Sequence, residues 1–575
     1  MSYLTMYRKW LNFDDETYKE LISLKESEIK DRFYKELEFG TGGLRGIIGA
    51  GTNRVNKYTI RKVTQGLANY IKKQKINEPS VILAYDSRKY SELFAKEAAL
   101  VLNANQIKTY IFNEMKPTPL LSYAIRKINT SAGIVITASH NPKEYNGYKI
   151  YWSDGGQITD HLAKEIYKEI KAIDYEDILT IEYNKAIDLG LYNVITDEIE
   201  DSYIKQIKQL TLNKDLVDNM KDKLKIVYTP IHGTGIKPIR RLLQEIGYTN
   251  LFIVKEQENP DPNFSTVICP NPEEKEVFEK AVEVASKEDA DIIIGTDPDC
   301  DRAGVVVKNK EGNYIVLTGN QVGLLLTYYI LDTLKFKNIL PKNSVVIKTI
   351  VTTECIKEIC KDYGVEVIDV LTGFKYIGEK IKEFEDTKDK FFLFGLEESY
   401  GYLTGTFVRD KDAVIASMLI CEMACFYKKR GLSLYEGLLE LYSKYGFFLE
   451  DLETITFDGL SGCINIENII NKIRNFPPNK IDEFNVVYIK DYKFKKIKDL
   501  LTGKETTMEY KMPSSNVIQL ILEGDNIITI RPSGTEPKIK IYFMLKDNTW
   551  EKNVIKLNRL KEAISEIIKP EMNII

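Results

Sequence analysis

Ala290-Asp-Ile-Ile-Ile-Gly-Thr-Asp-Pro-Asp-Cys-Asp-Arg302 decides the fold. Its first half is a short apolar run of strand type. Its second half is a polar loop carrying three carboxylates. The same grammar, an apolar run opening into a polar or glycine-containing loop, recurs at Val81–Tyr85, Ile134–Thr137, Lys225–Tyr228, Val345–Lys348 and Phe391–Phe394. Helical stretches such as Ala95–Asn103 and Lys237–Glu245 lie between them. This alternation predicts α/β units, in which chemistry collects in loops beyond the strand ends. Tyr18–Leu37 reads as a charged helical segment, and Glu198–Leu216 as one amphipathic helix. Past residue 450, a Lys/Asn-rich stretch with Pro477-Pro478 marks a boundary. Strands at Ile527–Ile530 and Ile539–Phe543 follow, then a helix with Leu557, Leu560, Ile564 and Ile567 on one face.

Within the opening stretch, Asp297, Asp299 and Asp301 alternate. In extended backbone such residues point to one side, and three adjacent carboxylates repel one another unless a cation holds them. An all-oxygen set suits Mg²⁺. A calcium EF-hand loop starting at Asp297 needs Gly and Glu where Arg302 and Lys308 stand. Arg302 is placed to stabilise phosphoryl charge.

Three other loops complete an inventory for phosphoryl transfer. Thr137-Ala-Ser-His-Asn-Pro142 puts Ser139 at a strand end. A serine needs a base or an electrostatic site to act as a nucleophile; Thr137, His140, Asn141 and Lys149 offer hydrogen bonds and positive charge. Gly395-Leu-Glu-Glu-Ser399 offers Glu397 and Ser399 to sugar hydroxyls, and nearby Lys411 is a proton-transfer or phosphate-contacting group. Arg531-Pro-Ser-Gly-Thr-Glu-Pro-Lys538 joins two strands. There Ser533, Gly534 and Thr535 offer donors as an anion nest beside the Arg531 charge. It lacks Walker spacing.

The chain has 575 residues, too many for one core. Hydrophobic residues make up 43% and charged residues 29%, an ordinary globular balance. A net charge of −4 gives no sign of a nucleic-acid-binding face. Met1–Trp10 lacks a secretory h-region, and no apolar stretch is long enough to span a bilayer. The seven cysteines are odd in number and scattered, which argues against a disulfide framework. A cytoplasmic location is expected.

These motifs, in this order, resemble the α-D-phosphohexomutase superfamily along nearly the whole chain. Gly40-Thr-Gly-Gly-Leu-Arg-Gly46 resembles its N-terminal signature. Tyr228-Thr-Pro-Ile-His-Gly-Thr-Gly235, Leu371-Thr-Gly-Phe-Lys375 and the length resemble the phosphoglucomutase-2/phosphopentomutase branch and its bacterial relatives. Departures fall at Leu396, where many relatives have glycine, and at Tyr400 and Cys300. The resemblance implies three related mixed-sheet α/β domains plus a C-terminal TATA-binding-protein-like α+β domain around a central cleft. The expected units are 1–220 with the phosphoserine loop, 221–335 with the metal loop, 336–455 with the sugar loop, and 456–575 with the phosphate loop.

It further implies a phosphorylated Ser139 that also enters the metal sphere, Arg45 supporting the serine loop, and Thr372, Gly373 and Lys375 contacting substrate. Asp86 and Arg88 are supporting candidates. The expected reaction interconverts glucose 1-phosphate and glucose 6-phosphate with Mg²⁺ and glucose 1,6-bisphosphate, the partners being small sugar phosphates. Phosphopentomutase, phosphomannomutase and glucose-1,6-bisphosphate synthase reactions use the same parts. A phosphatase or a non-catalytic sugar-phosphate sensor would not need all of them.

Overall fold

The apolar runs become buried strands. Ile292–Thr296 is buried at every position, and each fully buried Ile or Val contributes roughly 1.5–3 kcal/mol. Runs buried on both faces read as continuous hydrophobic segments, the signature of strands covered by helices. The computed structural model describes residues 2–40, 42–457, 459–508, 512–532 and 538–572.

Among these residues, four sheets follow one another along the chain. The first holds β1 (Phe39–Gly40), β2 (Gly43–Ile47), β3 (Ser80–Tyr85), β4 (Lys108–Phe112), β5 (Ala132–Ile136), β6 (Tyr145–Trp152) and β7 (Tyr192–Ile195). Its order is β1-β2-β6-β5-β3-β4-β7. Strands β3, β4, β5 and β7 run parallel, whereas β6 is antiparallel to β5 and β2. The second holds β8 (Ile226–Thr229), β9 (Leu251–Ile253), β10 (Ile292–Thr296), β11 (Ala303–Lys308) and β12 (Tyr314–Leu317), in the order β12-β11-β10-β8-β9. The third holds β13 (Ser344–Thr349), β14 (Glu366–Val370), β15 (Phe391–Glu397) and β16 (Gly401–Leu403), in the order β14-β13-β15-β16.

The fourth sheet is antiparallel. It comprises β17 (Phe447–Thr456), β18 (Lys480–Ile481), β19 (Phe484–Asp491), β20 (Lys496–Asp499), β21 (Glu505–Thr507), β22 (Ile518–Leu522), β23 (Asn526–Pro532) and β24 (Lys538–Asp547). Helices Gly459–Asn475 and Trp550–Met572 cover it. Its core, with Ile470, Ile528, Phe543, Leu560 and Ile564, is separate from the others. A larger core runs through the first three sheets, from Ile82 and Tyr123 through Tyr228 and Ile294 to Ile347 and Met418. The first three domains are therefore packed onto each other through shared apolar side chains. No helix among the described residues is long and apolar enough to cross a membrane.

Three sequence expectations change. Tyr18–Leu37 contains not one helix but the end of Asp15–Ile22 and the whole of Glu26–Phe33. The second opens where the Glu28 carboxylate accepts the Lys25 N–H at 3.0 Å. Glu198–Leu216 is also broken, into Glu198–Lys208 and Lys214–Met220. The buried Glu422 carboxylate takes the backbone N–H groups of Leu212 and Asn213, and Asn213 caps the second helix. In the last helix Ile568 is added to the buried face of Leu557, Leu560 and Ile564, and Ile567 packs partly buried against the same core. Cys421 and Cys425 are buried core residues.

Candidate active site

The serine loop leaves β5 and returns as β6. Ser139 sits in the left-handed region at φ +51°, and its N–H donates to Thr137 Oγ1 at 2.7 Å. Arg88 holds the loop from beneath: its guanidinium donates to the carbonyls of Ser139 at 2.6 Å, Pro142 at 2.8 Å and Tyr145 at 3.0 Å, and also to Asn141. Asp86 in turn accepts from Arg88 N and Ser91 Oγ. Arg45, on β2, donates to Asn141 Oδ1 at 2.9 Å. His140 Nδ1 lies 3.3 Å from Ser139 Oγ. Burial, then the charges of Arg302 and Arg45, hold His140 well below the usual histidine value.

The metal loop follows β10. The three carboxylates converge, but not by strand alternation. A turn closes between Asp297 O and Cys300 N at 2.9 Å, with Cys300 at φ +53°. Asp297 Oδ1 accepts from the N–H of Asp301 and Arg302, at 3.1 and 3.0 Å. Its Oδ2 accepts from the Ser139 hydroxyl at 2.8 Å. Ligand oxygens of Asp297, Asp299 and Asp301 lie within 4.8 Å of one another. Asp299 Oδ1 and Asp301 Oδ1 are buried with no hydrogen-bond partner. Unpaired carboxylate oxygens in such a triad fit a hard divalent cation. Burial, then the neighbouring Asp299 and Asp301 charges, push Asp297 far above the usual carboxylate value.

Two lysines partly compensate this charge. Lys149 on β6 reaches Asp299 Oδ2 at 2.7 Å and Asp301 Oδ2 at 3.3 Å. Lys411 reaches Asp301 Oδ2 at 2.8 Å. The first lies in the first domain and the second in the third, so the triad is a three-domain junction. Burial pulls both lysines down, but the aspartates outweigh it and both stay above the ordinary lysine value. Arg302 pairs with Glu273 at 3.0 Å.

The sugar-loop residues sit at the end of β15. Ser399 Oγ donates to Glu397 Oε1 at 3.0 Å. Burial, opposed by Lys411 and Arg302, pushes Glu397 up to about 7. The departures at Leu396 and Tyr400 serve the scaffold. Leu396 is buried against Gly323. Tyr400, at φ +63°, donates its hydroxyl to Leu317 O at 3.0 Å and accepts Ala303 N–H on its carbonyl at 3.1 Å. The sugar loop is thereby bonded to the end of the metal loop. All three loops carry a non-glycine residue in the left-handed region, a conformation that persists only where surrounding contacts over-determine it.

Thr372 Oγ1 is buried without a partner, and Gly373, at φ +118°, has open space where a side chain would stand. Lys375 ion-pairs with Asp160 of the first domain at 2.6 Å. Arg531 lies on β23; Ser533, Gly534 and Thr535 fall outside the described residues. Sequence reading missed Lys540. It sits on β24 directly across the ladder from Arg531, half-buried, with burial and then Arg531 pulling it below the usual lysine value. Two cations thus face each other across one ladder; the signal was the register of the two strands that the Arg531–Lys538 loop joins.

This fold and site define a family. The chain matches the phosphoglucomutase/phosphomannomutase α/β/α domain I over residues 36–177, domain II over 201–312 and domain III over 318–445. It belongs to the phosphoglucomutase/phosphomannomutase family, within the α-D-phosphohexomutase superfamily, and is an enzyme of intramolecular phosphotransferase type. It is 38% identical to a phosphoglucomutase of Staphylococcus aureus (strain MSSA476), over 93% of this chain and 95% of that one. With a phosphoglucomutase of Staphylococcus haemolyticus (strain JCSC1435) it shares 37%, over 95% and 97%. Among solved structures, the fold resembles a putative phosphomannomutase from Thermus thermophilus, with TM-score 0.69 and 20% identity over 93% and 99% of the two chains. It also resembles the open form of the Paramecium phosphoglucomutase pp63/parafusin, with TM-score 0.68 and 17% identity over 93% and 96%.

Proposed function

We propose that this chain is a phosphoglucomutase, interconverting glucose 1-phosphate and glucose 6-phosphate through a phosphorylated Ser139. The observation that carries this reading is the Ser139 hydroxyl 2.8 Å from Asp297, inside the carboxylate triad. The substrate assignment follows the staphylococcal relatives.

In the forward half-reaction the phosphorus–oxygen bond to Ser139 breaks. A new one forms to a free hydroxyl of the bound sugar phosphate, giving glucose 1,6-bisphosphate. The hydroxyl proton leaves as the serine oxygen regains one. The bisphosphate turns over, and Ser139 takes back the other phosphoryl group. Mg²⁺ held by Asp297, Asp299, Asp301 and the Ser139 phosphate would neutralise charge on the transferring group. Lys149, Lys411 and Arg302 supply fixed positive charge around it. His140, beside Ser139 Oγ, and Glu397 are placed to exchange protons with the attacking and leaving oxygens.

Arg531 and Lys540, with Ser533, Gly534 and Thr535, grip the phosphate that does not react. Thr372, Gly373, Lys375, Glu397 and Ser399 read the hydroxyls in both poses, and Arg45 steadies the serine loop through Asn141. The working units are 1–220, 221–335, 336–455 and 456–575. The partners are small sugar phosphates in the cytoplasm.

The test is turnover with Mg²⁺ and trace glucose 1,6-bisphosphate, comparing glucose 1-phosphate, mannose 1-phosphate and ribose 1-phosphate by kcat/KM. Preference for glucose 1-phosphate is expected. Preference for ribose 1-phosphate would overturn the substrate while keeping the phosphoserine chemistry.

A further inference from the structure

Residues 259–274 form a 16-residue segment without regular structure, running from the helix Lys255–Glu258 to the 3-10 turn at Lys275. Loops longer than about 12–15 residues are uncommon in compact domains and are usually functional. This one belongs to the second domain, yet it touches the first domain's serine loop and the metal loop. Phe264 is fully buried, at φ +46°, with its ring centroid 5.0 Å from the Arg88 guanidinium carbon. Arg88 is the group that gathers the Ser139, Asn141, Pro142 and Tyr145 carbonyls. Cys269 Sγ donates to His140 O at 3.0 Å. Glu273 pairs with Arg302 at 3.0 Å. Three points along one strap thus bear on three loop residues of the site.

The strap is anchored by the Tyr228–Gly235 motif. His232 is buried, with Nδ1 2.9 Å from Asn259 O and Nε2 2.9 Å from Thr266 Oγ1. A carbonyl can only accept, so Nδ1 carries a proton and donates to Asn259. Gln257 closes the circuit: its Nε2 donates to Thr266 Oγ1 at 3.1 Å and its Oε1 accepts from Thr229. The same motif holds the metal loop, since Thr234 donates from N and Oγ1 to Pro298 O, at 2.9 and 3.0 Å. Ile231 and His232 are both left-handed, at φ +46° and +60°. Strain of this kind survives where it is over-determined and clusters at functional sites.

We propose that Phe264 is a positioning residue for phosphoryl transfer. The strap 259–274, pinned by His232 and Thr266, sets the phosphoserine loop against the metal loop through the Phe264–Arg88 stack. This rests on the phosphoserine reading above. A serine loop released from the strap keeps its chemistry but loses its alignment with the sugar hydroxyl. Transfer to sugar slows, and transfer to water competes.

The experiment is the partition ratio, inorganic phosphate released per glucose 6-phosphate formed, for the parent, Phe264→Leu and Thr266→Val. This ratio does not depend on the fraction of enzyme that is folded, and Thr266→Val removes two hydrogen bonds at nearly constant volume. Both variants should raise the ratio at least tenfold and lower kcat by roughly 10–100-fold, with KM for glucose 1-phosphate within about twofold of the parent. Unchanged ratios in both variants of an active parent overturn the strap's role. A parent that forms no glucose 6-phosphate overturns the phosphoserine reading itself, and the strap's role with it.

Discussion

The Ser139 hydroxyl donates to Asp297 Oδ2 at 2.8 Å across the seam between the first two domains, and 158 residues of chain separate the two. That bond sets the serine hydroxyl beside the carboxylate triad without help from local sequence. Ser139→Ala should lower kcat by at least ~10³-fold, as removal of a nucleophile does. Sugar-phosphate affinity by calorimetry should change only a few-fold. The covalent phosphate visible by intact mass in the parent should disappear. Equal turnover would sink the nucleophile assignment.

Removing divalent metal with a chelator should abolish turnover, and Mg²⁺ should restore it. Asp299→Asn removes the negative charge that Lys149 meets at 2.7 Å and weakens the proposed metal-binding triad. The Mg²⁺ concentration for half-maximal activity should rise by more than the ~10–100-fold that loss of an outer-shell partner costs. An unchanged Mg²⁺ titration would show that the triad holds no catalytic metal.

Arg531 and Lys540 face each other across β23 and β24. Charge-assisted hydrogen bonds contribute about 1.5–3 kcal/mol, so Arg531→Ala or Lys540→Ala should raise KM for glucose 1-phosphate by roughly 10–100-fold. The Mg²⁺ titration should stay in place. A kcat defect at constant KM would remove both residues from the phosphate clamp.

Asp412 caps the buried helix Ala413–Lys429, accepting from Val414 N and Ile415 N at 2.9 Å each and from Tyr203 Oη at 2.7 Å. Burial pushes its carboxyl from 3.8 up to about 7. Between those values the folded chain keeps a proton that the unfolded chain has lost. The associated stability is complete below about 3.8 and is lost as pH rises through about 7. Each pH unit in that window is about 1.4 kcal/mol. Asp412→Asn keeps the cap without the titration. Its Tm should therefore fall less than the parent's between about pH 5 and pH 8; equal falls would refute the buried proton.

Much of the scaffold was legible because it is local. The buried runs ending at Tyr85, Ile136, Thr229 and Thr296 carry their strand signal in a few consecutive side chains. The broken helix at Asn213 was not legible, since what interrupts it is Glu422, about 210 residues away. Phe264 was missed for the same reason, and Lys540 because the register of its hairpin fixes which residues face each other. Each matters through a partner, Arg88 or Arg531, that folding brings near.

By itself, the sequence determined which chemical groups exist and which loops present them: a serine, a carboxylate triad, an acid–serine pair and a basic loop. Each motif is short, and strand ends place such motifs predictably. Only the tertiary structure decided which oxygen of Asp297 meets Ser139, that Lys149 and Lys411 from different domains share Asp301, and that Glu397 titrates near neutrality. Distances between remote segments and exclusion of water set those properties, and neither quantity is written in any single stretch of the chain.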